Sequence, residues 1–382
     1  MLLKAPCLRI CLIALLTLSA GVLAKAAPVQ TEPKSKSHGK ASPAEVERAL
    51  KESLRRAPES FEANHQLGEF HLQAGQLSAA IPLLEKAQQL NPTHYTNSYD
   101  LALAYLQLGE LAKARAQIQR ILARKETAEL HSLLAEIEEK DGKLVAAAEE
   151  YQRAARMDES EQNILNLGNS LIKINAFDAA VQILTYGLKK YSQSGMLRVG
   201  LGIALYSRGD YEEAVKFFCA AVDLEPTDPR PYLFLGEMYG VSAEMADEIL
   251  KRMAQFVKYH PENALAHYYY AMNLQSRRGP GHEVDLNQIE TLLKTAIALD
   301  PKLARAHFEL GALYSEQQKH KEAISALREA IRLEPGLAKA HYRLARLYQS
   351  TGQKDLAVQE MEIYQKLKER GAEPTTPKRP NP

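Results

Sequence analysis

A repeat of 34 residues constrains this chain more than any other feature. The segment AHFELGALYSEQQKHKEAISALREAIRLEP at residues 306–335 returns with the same skeleton as AHYRLARLYQSTGQKDLAVQEMEIYQKLKE at residues 340–369. Both carry apolar and small residues at i, i+3, i+4 and i+7, which predicts amphipathic helices. A polar or Gly turn separates two such helices, and a Pro closes many copies because proline cannot continue a helix.

The repeat predicts a stacked architecture, because neither helix of a copy can bury its apolar face alone. Small residues at two fixed places, such as Gly202 with Ala214 and Gly311 with Ala323, allow the two helices to approach closely. Nine copies in phase are found, at 61–94, 95–127, 128–160, 161–194, 195–228, 229–263, 264–303, 304–337 and 338–371.

This pattern resembles the tetratricopeptide repeat (TPR). In the copy at 195–228 the matching residues are Leu201, Gly202, Tyr211, Ala214, Phe218, Ala221 and Pro226. In the copy at 304–337 they are Leu310, Gly311, Tyr314, Ala323, Ala330 and Pro335. The resemblance implies an all-α fold, a right-handed α-solenoid of stacked helix-turn-helix units.

Three copies depart from the pattern. The copy at 128–160 has Glu138 where Tyr is usual, and the copy at 229–263 lacks the central Ala and has one extra residue. The copy at 264–303 has 40 residues, because the segment SRRGPGHEVDLNQ, where its two helices join, carries six residues beyond 34. We expect the stack to bend or splay locally at the last two copies.

The N-terminus has the features of a secretory signal. Lys4 and Arg9 precede an apolar run from Ile10 to Ala24, and small residues follow. This arrangement predicts a signal peptide at residues 1–26, cleaved near Ala24 or Ala26, and export to the periplasm or outside the cell. The run is shorter than the ~20 residues of a membrane span, although retention as an uncleaved anchor stays open.

The remaining flanks divide into linker, cap and tail. Residues 27–41 are polar and are predicted to be disordered, as are the Pro-rich residues 372–382. The TPR region is predicted at 42–371. It begins with the sequence SPAE at Ser42, a capping box that predicts an N-terminal capping helix at 42–57.

The sequence offers no arrangement suited to catalysis or to a cofactor. Four histidines occupy the fourth position of their copies, namely His131, His267, His307 and His341. Equivalent residues of successive copies are separated by an intervening helix, and packed helices lie about 8–10 Å apart, so these rings cannot share one metal ion. Cys219 is interpreted as a small buried residue. We therefore predict no catalytic, metal or cofactor-binding residues and no enzymatic activity.

The resemblance implies that first helices line a groove, and position 5 of each copy gives one stripe along it. That stripe is His65, Tyr99, Ser132, Leu165, Val199, Leu233, Tyr268, Phe308 and Tyr342. The predicted partner-binding residues are Tyr268, Tyr269, Phe308, Tyr342, Arg230, Arg305, Lys339, Arg343 and Arg346. The alternative is that position 5 packs into the core. Tyr270 and His267 are expected to pack in the core.

Charge differs between the two ends of the predicted groove. The C-terminal copies are basic, whereas the N-terminal copies present Glu62, Glu69, Asp100, Glu129, Glu136 and Glu139. This bias could orient an extended peptide.

The function predicted from these features is a non-catalytic scaffold or assembly factor of the cell envelope that binds a peptide segment or helix of a protein partner. The alternative is a binding protein for envelope polysaccharide, since tyrosine rings can stack on sugars. The formal net charge of +1 argues against nucleic acid. Membrane association is expected only if the signal is retained.

Overall fold

The computed structural model describes residues 42–240, 244–279 and 284–372. The predicted signal peptide, the linker and residues 373–382 of the predicted tail lie outside the described residues.

Every regular element in the described residues is a helix, and the helices alternate as the repeat predicts. The first helix of every copy begins at the first residue of that copy. The helices are α1 Pro43–Arg56, α2 Phe61–Gln73, α3 Leu77–Leu90, α4 Tyr95–Leu108, α5 Leu111–Leu122, α6 Ala128–Lys140, α7 Leu144–Met157, α8 Glu161–Lys173, α9 Phe177–Lys190, α10 Gly195–Arg208, α11 Tyr211–Leu224, α12 Pro229–Glu237, α13 Ala246–Tyr259, α14 Ala264–Ser276, α15 Leu286–Leu299, α16 Ala304–Glu316, α17 His320–Leu333, α18 Ala338–Ser350 and α19 Lys354–Ala372.

The predicted capping box starts α1. The Ser42 side chain accepts a hydrogen bond from the Glu45 backbone amide, and the Glu45 carboxylate accepts one from the Ser42 backbone amide at 2.7 Å. These two bonds satisfy amides that the first helical turn leaves without partners. Pro43 fits the first helical position because no partner is needed there for a backbone N–H.

The two helices of a copy pack so closely that a side chain would not fit between them. A Cβ built on Gly202 would lie 2.6 Å from Phe218 Cε1, and one on Gly311 would lie 2.8 Å from Leu327 Cγ. Phe218 and Leu327 are completely buried, as are the small residues of the second helices at Ala214 and Ala323. The close approach predicted from small residues is therefore confirmed.

The turn between the two helices of a copy has a characteristic backbone conformation at one position. In seven copies the fifteenth residue has a left-handed backbone, which glycine adopts without a steric penalty. Five of these residues are Gly75, Gly109, Gly142, Gly209 and Gly352, and the other two are Asn175 and Gln318, with φ of 60° and 61°.

Glu138, which occupies the position where Tyr is usual, forms an internal ion pair. The residue is buried, and Arg115 on α5 donates to its carboxylate from Nε at 2.5 Å and from Nη2 at 3.0 Å. The guanidinium also reaches Asp141 at 2.5 Å. A buried charge is tolerated when it is paired in this way, so the cation from the preceding copy allows an acid at this position.

The helices form two compact bodies, divided between Ser192 and Gln193. The N-terminal body contains α1 to α9, and the C-terminal body contains α10 to α19. Within the described residues, no helix combines the length and apolar character needed to cross a membrane.

Candidate functional site

In the C-terminal body, one carboxylate connects the first helices of three copies. The Tyr269 hydroxyl on α14 donates to Glu237 Oε1 on α12 at 2.6 Å, and Arg305 Nη1 on α16 lies 3.1 Å from the same oxygen. The Tyr268 hydroxyl lies close enough to Tyr239, Glu309 and Arg305 to interact with them electrostatically. The side chains of these helices therefore meet on one surface, here called the first-helix face.

Two predicted contact residues are buried in this face rather than exposed on it. Tyr268 is 3% exposed and Tyr269 is 4% exposed, and burial raises the pKa of both hydroxyls. Gly236 makes room for the Tyr269 ring, because a Cβ there would lie 2.4 Å from Tyr269 Cγ. Tyr270, which was expected in the core, is partly exposed instead. Tyr268 and Tyr269, which were predicted to bind a partner, are therefore buried and form the floor of the face.

Phe308 is also largely buried, at 8% exposed, but a cation covers its ring. The Arg343 guanidinium lies over the ring with its Cζ 5.5 Å from the centroid, which is a cation–π contact. Beside it, burial raises the pKa of Glu309, while Arg343 and Lys339 act in the opposite direction. Phe308 thus contributes to the face as a support for Arg343.

The exposed part of the face lies on α18. Tyr342 is 37% exposed, its ring lies 5.1 Å from that of Tyr364, and its hydroxyl accepts a hydrogen bond from Arg346 Nη1 at 3.2 Å. Lys339, Arg343 and Arg346 are all exposed. Among the described residues, none of these three has a carboxylate within ion-pair distance. This row, Lys339, Tyr342, Arg343 and Arg346, is called the α18 row.

Arg230 stands apart from the other predicted residues. Asp228, the N-cap of α12, accepts from Arg230 Nε at 3.0 Å and from Nη2 at 2.7 Å. These bonds hold the guanidinium at its own helix terminus.

The acids of the N-terminal body differ in their partners. Lys173 lies 2.7 Å from Glu139, and Lys140 lies 3.3 Å from Glu136. Burial, with a further contribution from the nearby Glu129 carboxylate, raises the pKa of the Tyr99 hydroxyl. Sequence reasoning identified these acids but not which of them lysines neutralise.

The fourth-position histidines are packing residues, as was expected for His267. His131, His267 and His341 are buried, and His307 is half-buried. Two of them share a partner that the sequence analysis missed: His131 Nδ1 lies 2.6 Å from Glu150, and His341 Nδ1 lies 2.6 Å from Glu360. In the sequence, a Glu follows each of these two histidines after 19 residues, and this shared spacing would have indicated the pairing. In the described residues, no cluster of three His, Cys, Asp or Glu is arranged to hold a metal ion.

Cys219 packs as a buried side chain. Burial raises the pKa of its thiol to about 11, although the nearby Arg252 acts in the opposite direction. A thiol in this state is protonated at neutral pH and is a poor nucleophile.

Two family models described as tetratricopeptide repeat match the chain. One matches residues 71–137 and 314–367, and the other matches residues 43–95 and 165–229, which together amount to more than half of the chain. The chain belongs to the tetratricopeptide repeat family. TPR proteins are typically non-catalytic, and their fold is that of a protein–protein interaction scaffold.

Several solved structures are similar to this TPR chain. YrrB, a TPR protein with an unusual peptide-binding site, is 17% identical over 48% of this chain and 96% of its own, with a TM-score of 0.41. MamA is 23% identical over 46% of this chain and 98% of its own, with a TM-score of 0.39. Human IFIT1, solved as a dimer with m7Gppp-AAAA, is 16% identical over 85% of this chain and 81% of its own, with a TM-score of 0.43. No curated protein matches the chain significantly.

Proposed function

We propose that this TPR protein is a scaffold or assembly factor of the cell envelope, and that the first-helix face of its C-terminal body holds a segment of a partner protein. The observation that carries the proposal is the α18 row, where Arg343 and Arg346 flank the exposed ring of Tyr342 and, among the described residues, form no ion pair with a carboxylate. Tyrosine and arginine are among the residues most enriched at the energetic centres of protein interfaces.

The chemistry of the α18 row favours an acidic segment as the ligand. Guanidinium groups bind carboxylates through paired hydrogen bonds, and Arg343 is already oriented by its contact with Phe308. An oriented side chain loses less conformational entropy on binding. The buried rings of Tyr268 and Tyr269, together with the hydrogen bond from Tyr269 to Glu237, would keep this surface in one conformation.

A photocrosslinking experiment tests the proposal. A benzoylphenylalanine at position 342 is expected to crosslink one defined envelope protein through an acidic segment identified by mass spectrometry. Adding Arg343→Ala and Arg346→Ala should abolish the product. The matched control is Arg124→Ala with Arg156→Ala, two exposed arginines of the N-terminal body, which should leave it intact.

The outcome that contradicts the proposal is a product that persists in the Arg343→Ala, Arg346→Ala variant, or no defined protein product. Sensitivity of the product to glycosidase but not to protease would indicate the polysaccharide alternative. Stacking on sugar requires exposed ring faces, and only Tyr342 among the four predicted aromatic residues is exposed.

Export is proposed on the sequence of residues 1–26 and has its own test. N-terminal sequencing of the protein from an envelope fraction is expected to begin at Lys25 or Ala27. An intact Met1 with alkaline-resistant membrane association would instead indicate a retained anchor.

A further inference from the structure

Two of the fourth-position histidines receive a carboxylate from the second helix of their own copy. Glu150 on α7 lies 2.6 Å from Nδ1 of His131 on α6, and Glu360 on α19 lies 2.6 Å from Nδ1 of His341 on α18. Both histidines are buried, and in both copies the Glu follows the His after 19 residues. These copies show which chemical group fits the Nδ1 edge of a histidine at this position.

His307 on α16 is held in the same way but lacks such a carboxylate. Its Nε2 lies 3.1 Å from the Pro301 carbonyl oxygen, just as Nε2 of His341 lies 3.1 Å from that of Pro335. The residue 19 positions after His307 is Ala326, whose methyl group cannot form a hydrogen bond. Among the described residues, none forms a hydrogen bond with His307 Nδ1, and the ring is only half-buried.

An open cleft of about 1000 Å³ lies where the carboxylate is missing. His307 and Ala326 both line it, so the space that Glu150 and Glu360 fill in their own copies is open here. Helices α15, α16 and α17 each contribute an apolar side chain to its walls, namely Ile297, Leu310 and Ile324. A volume of this size is typical of ligand pockets, and it can take several side chains of a polypeptide.

Glu329 on α17 does not supply the missing carboxylate. It is close enough to His307 to interact with it electrostatically. Its two oxygens, however, accept hydrogen bonds from Arg332, at 2.9 Å from Nε and at 2.6 Å from Nη2. Glu329 is thus engaged within its own helix, and Nδ1 of His307 remains available to a ligand.

The other charged residues of the cleft favour an anionic ligand. Lys294 lies 2.7 Å from Glu290 and is neutralised by it. Lys321, Arg328 and Glu322 also line the cleft, and none of these three forms an ion pair in the part of the chain that the structure describes. Two unpaired cations therefore act against one unpaired carboxylate, and their field attracts a negative group.

We propose that the cleft lined by α15, α16 and α17 binds an aspartate or glutamate side chain of a partner polypeptide, whose carboxylate accepts a hydrogen bond from His307 Nδ1. The bound carboxylate takes the place that Glu150 and Glu360 occupy in their own copies. Because a carboxylate only accepts hydrogen bonds, the ring then donates from both nitrogens and is positively charged. Hydrogen bonds between charged groups are stronger than those between neutral groups.

The cleft does not include the α18 row, so the test is made in the Arg343→Ala, Arg346→Ala protein. A fluorescein-labelled peptide GSELSELSEG and its counterpart with glutamine at each glutamate are titrated against this protein at pH 6 and low salt, with anisotropy as the readout. The glutamate peptide is expected to bind, and the glutamine peptide at least tenfold more weakly. Adding His307→Ala should weaken binding of the glutamate peptide about tenfold, because a charged hydrogen bond is lost.

The matched control is His320→Ala, which removes a half-buried histidine of α17 outside the cleft and should change the affinity less than twofold. Ala326→Glu supplies the carboxylate from within the copy, as Glu150 and Glu360 do, and should abolish binding of the glutamate peptide without lowering the thermal midpoint.

Nitrogen NMR of histidine-labelled protein gives a readout that a purely structural role of His307 would not move. Addition of the glutamate peptide at constant pH should protonate Nδ1 of His307. Equal affinities of the His307→Ala and His320→Ala proteins, equal binding of the two peptides, retained binding by Ala326→Glu, or no binding of the glutamate peptide would each overturn the proposal. None of these outcomes bears on the α18 row, whose arginines are absent from the tested proteins.

Discussion

Arg305 Nη1 lies 3.1 Å from Glu237 Oε1, although 68 residues separate the two in sequence. The contact passes over the helix of an intervening copy, which contributes the Tyr269 hydroxyl to the same carboxylate. Glu237 is thus the point at which α12, α14 and α16 are held together on the first-helix face.

Removing that carboxylate should destabilise the C-terminal body. Glu237→Ala leaves the buried Tyr269 hydroxyl without its acceptor, which costs about 1–3 kcal/mol of unfolding free energy. Urea unfolding followed by far-UV circular dichroism measures the change. Glu212→Ala is the control, because Glu212 is exposed on α11. Equal unfolding midpoints for the two variants would show that Glu237 has no such role.

Truncation of Tyr268 should reduce stability, whereas truncation of Tyr342 should reduce partner binding. Tyr268→Ala removes a buried ring and should lower the unfolding free energy by about 3–5 kcal/mol. Tyr342→Ala removes an exposed ring, so stability should change by less than about 1 kcal/mol while crosslinking to the partner weakens. Thermal melts of both variants check the assignment, and a large loss of stability in Tyr342→Ala would place its ring in the core instead.

Gly236 should not tolerate a methyl group. The Cβ of Gly236→Ala would lie 2.4 Å from the Tyr269 ring, and forcing apart such a contact costs about 1–3 kcal/mol, more than alanine gains in a helix. Gly336→Ala is the control, since nothing lies within 4 Å of its Cβ position. Chemical denaturation should separate the two proteins, and similar stabilities would mean that the ring moves aside without cost.

The stability contributed by Asp100 should depend on pH in the opposite sense to that of an ion-paired aspartate. Burial, with a further contribution from Glu69, raises the pKa of Asp100 from 3.8 to about 7. Between these values the folded state holds a proton that the unfolded state has released, so stability falls as pH rises through this window. Asp100→Asn removes this penalty, and its stability relative to wild type should therefore be greater at pH 8 than at pH 5.

Since one pKa unit corresponds to roughly 1.4 kcal/mol, this difference should be on the order of 2 kcal/mol. The other titratable groups around Asp100, namely His65, Glu69, Tyr99 and Glu129, are present in both proteins. Their own titrations therefore largely cancel in the comparison. A relative stability that does not change with pH would contradict the assignment.

Cys219 should react slowly while the protein is folded. Its buried thiol, with a pKa of about 11, is almost entirely protonated at pH 8. In a protein with Cys7→Ser and Cys11→Ser, iodoacetamide labelling at pH 8 should be at least tenfold faster in denaturing urea than in buffer. Mass spectrometry over time measures both rates, and fast labelling of the folded protein would contradict the packing described here.

The repeat was predictable from sequence because its signals are local. Helix starts, the Ser42 cap and the close approach of the helices at Gly202 and Ala214 follow from periodicity and from small residues at fixed spacing. The face that each tyrosine takes was not predictable in this way. Tyr269 lies inside because Gly236, 33 residues earlier, leaves space for its ring, and this complementarity exists only after two copies have packed.

The candidate site was predicted in part for the same reason. The basic residues of α18 are exposed, as an interaction surface requires, whereas the Arg230 guanidinium is paired with Asp228. That pairing could have been predicted from the sequence, since an N-cap aspartate two residues before an arginine is a local arrangement. The absence of a donor for Asp100 Oδ2 among the described residues could not be predicted from the sequence, because it depends on the hydrogen bond between His65 and Asn97.

The left-handed residue that closes each tight turn also determines where the chain can grow. A turn that depends on one left-handed residue has no spare chain length, so extra residues would move the two helices of that copy out of contact. In the copy at 264–303 the fifteenth position is Arg278, which does not have the left-handed backbone, and this is the copy that acquired the longer connection. Natural or engineered insertions should therefore be accepted at this turn and rejected at the turns marked by Gly75, Gly109, Gly142, Gly209 and Gly352.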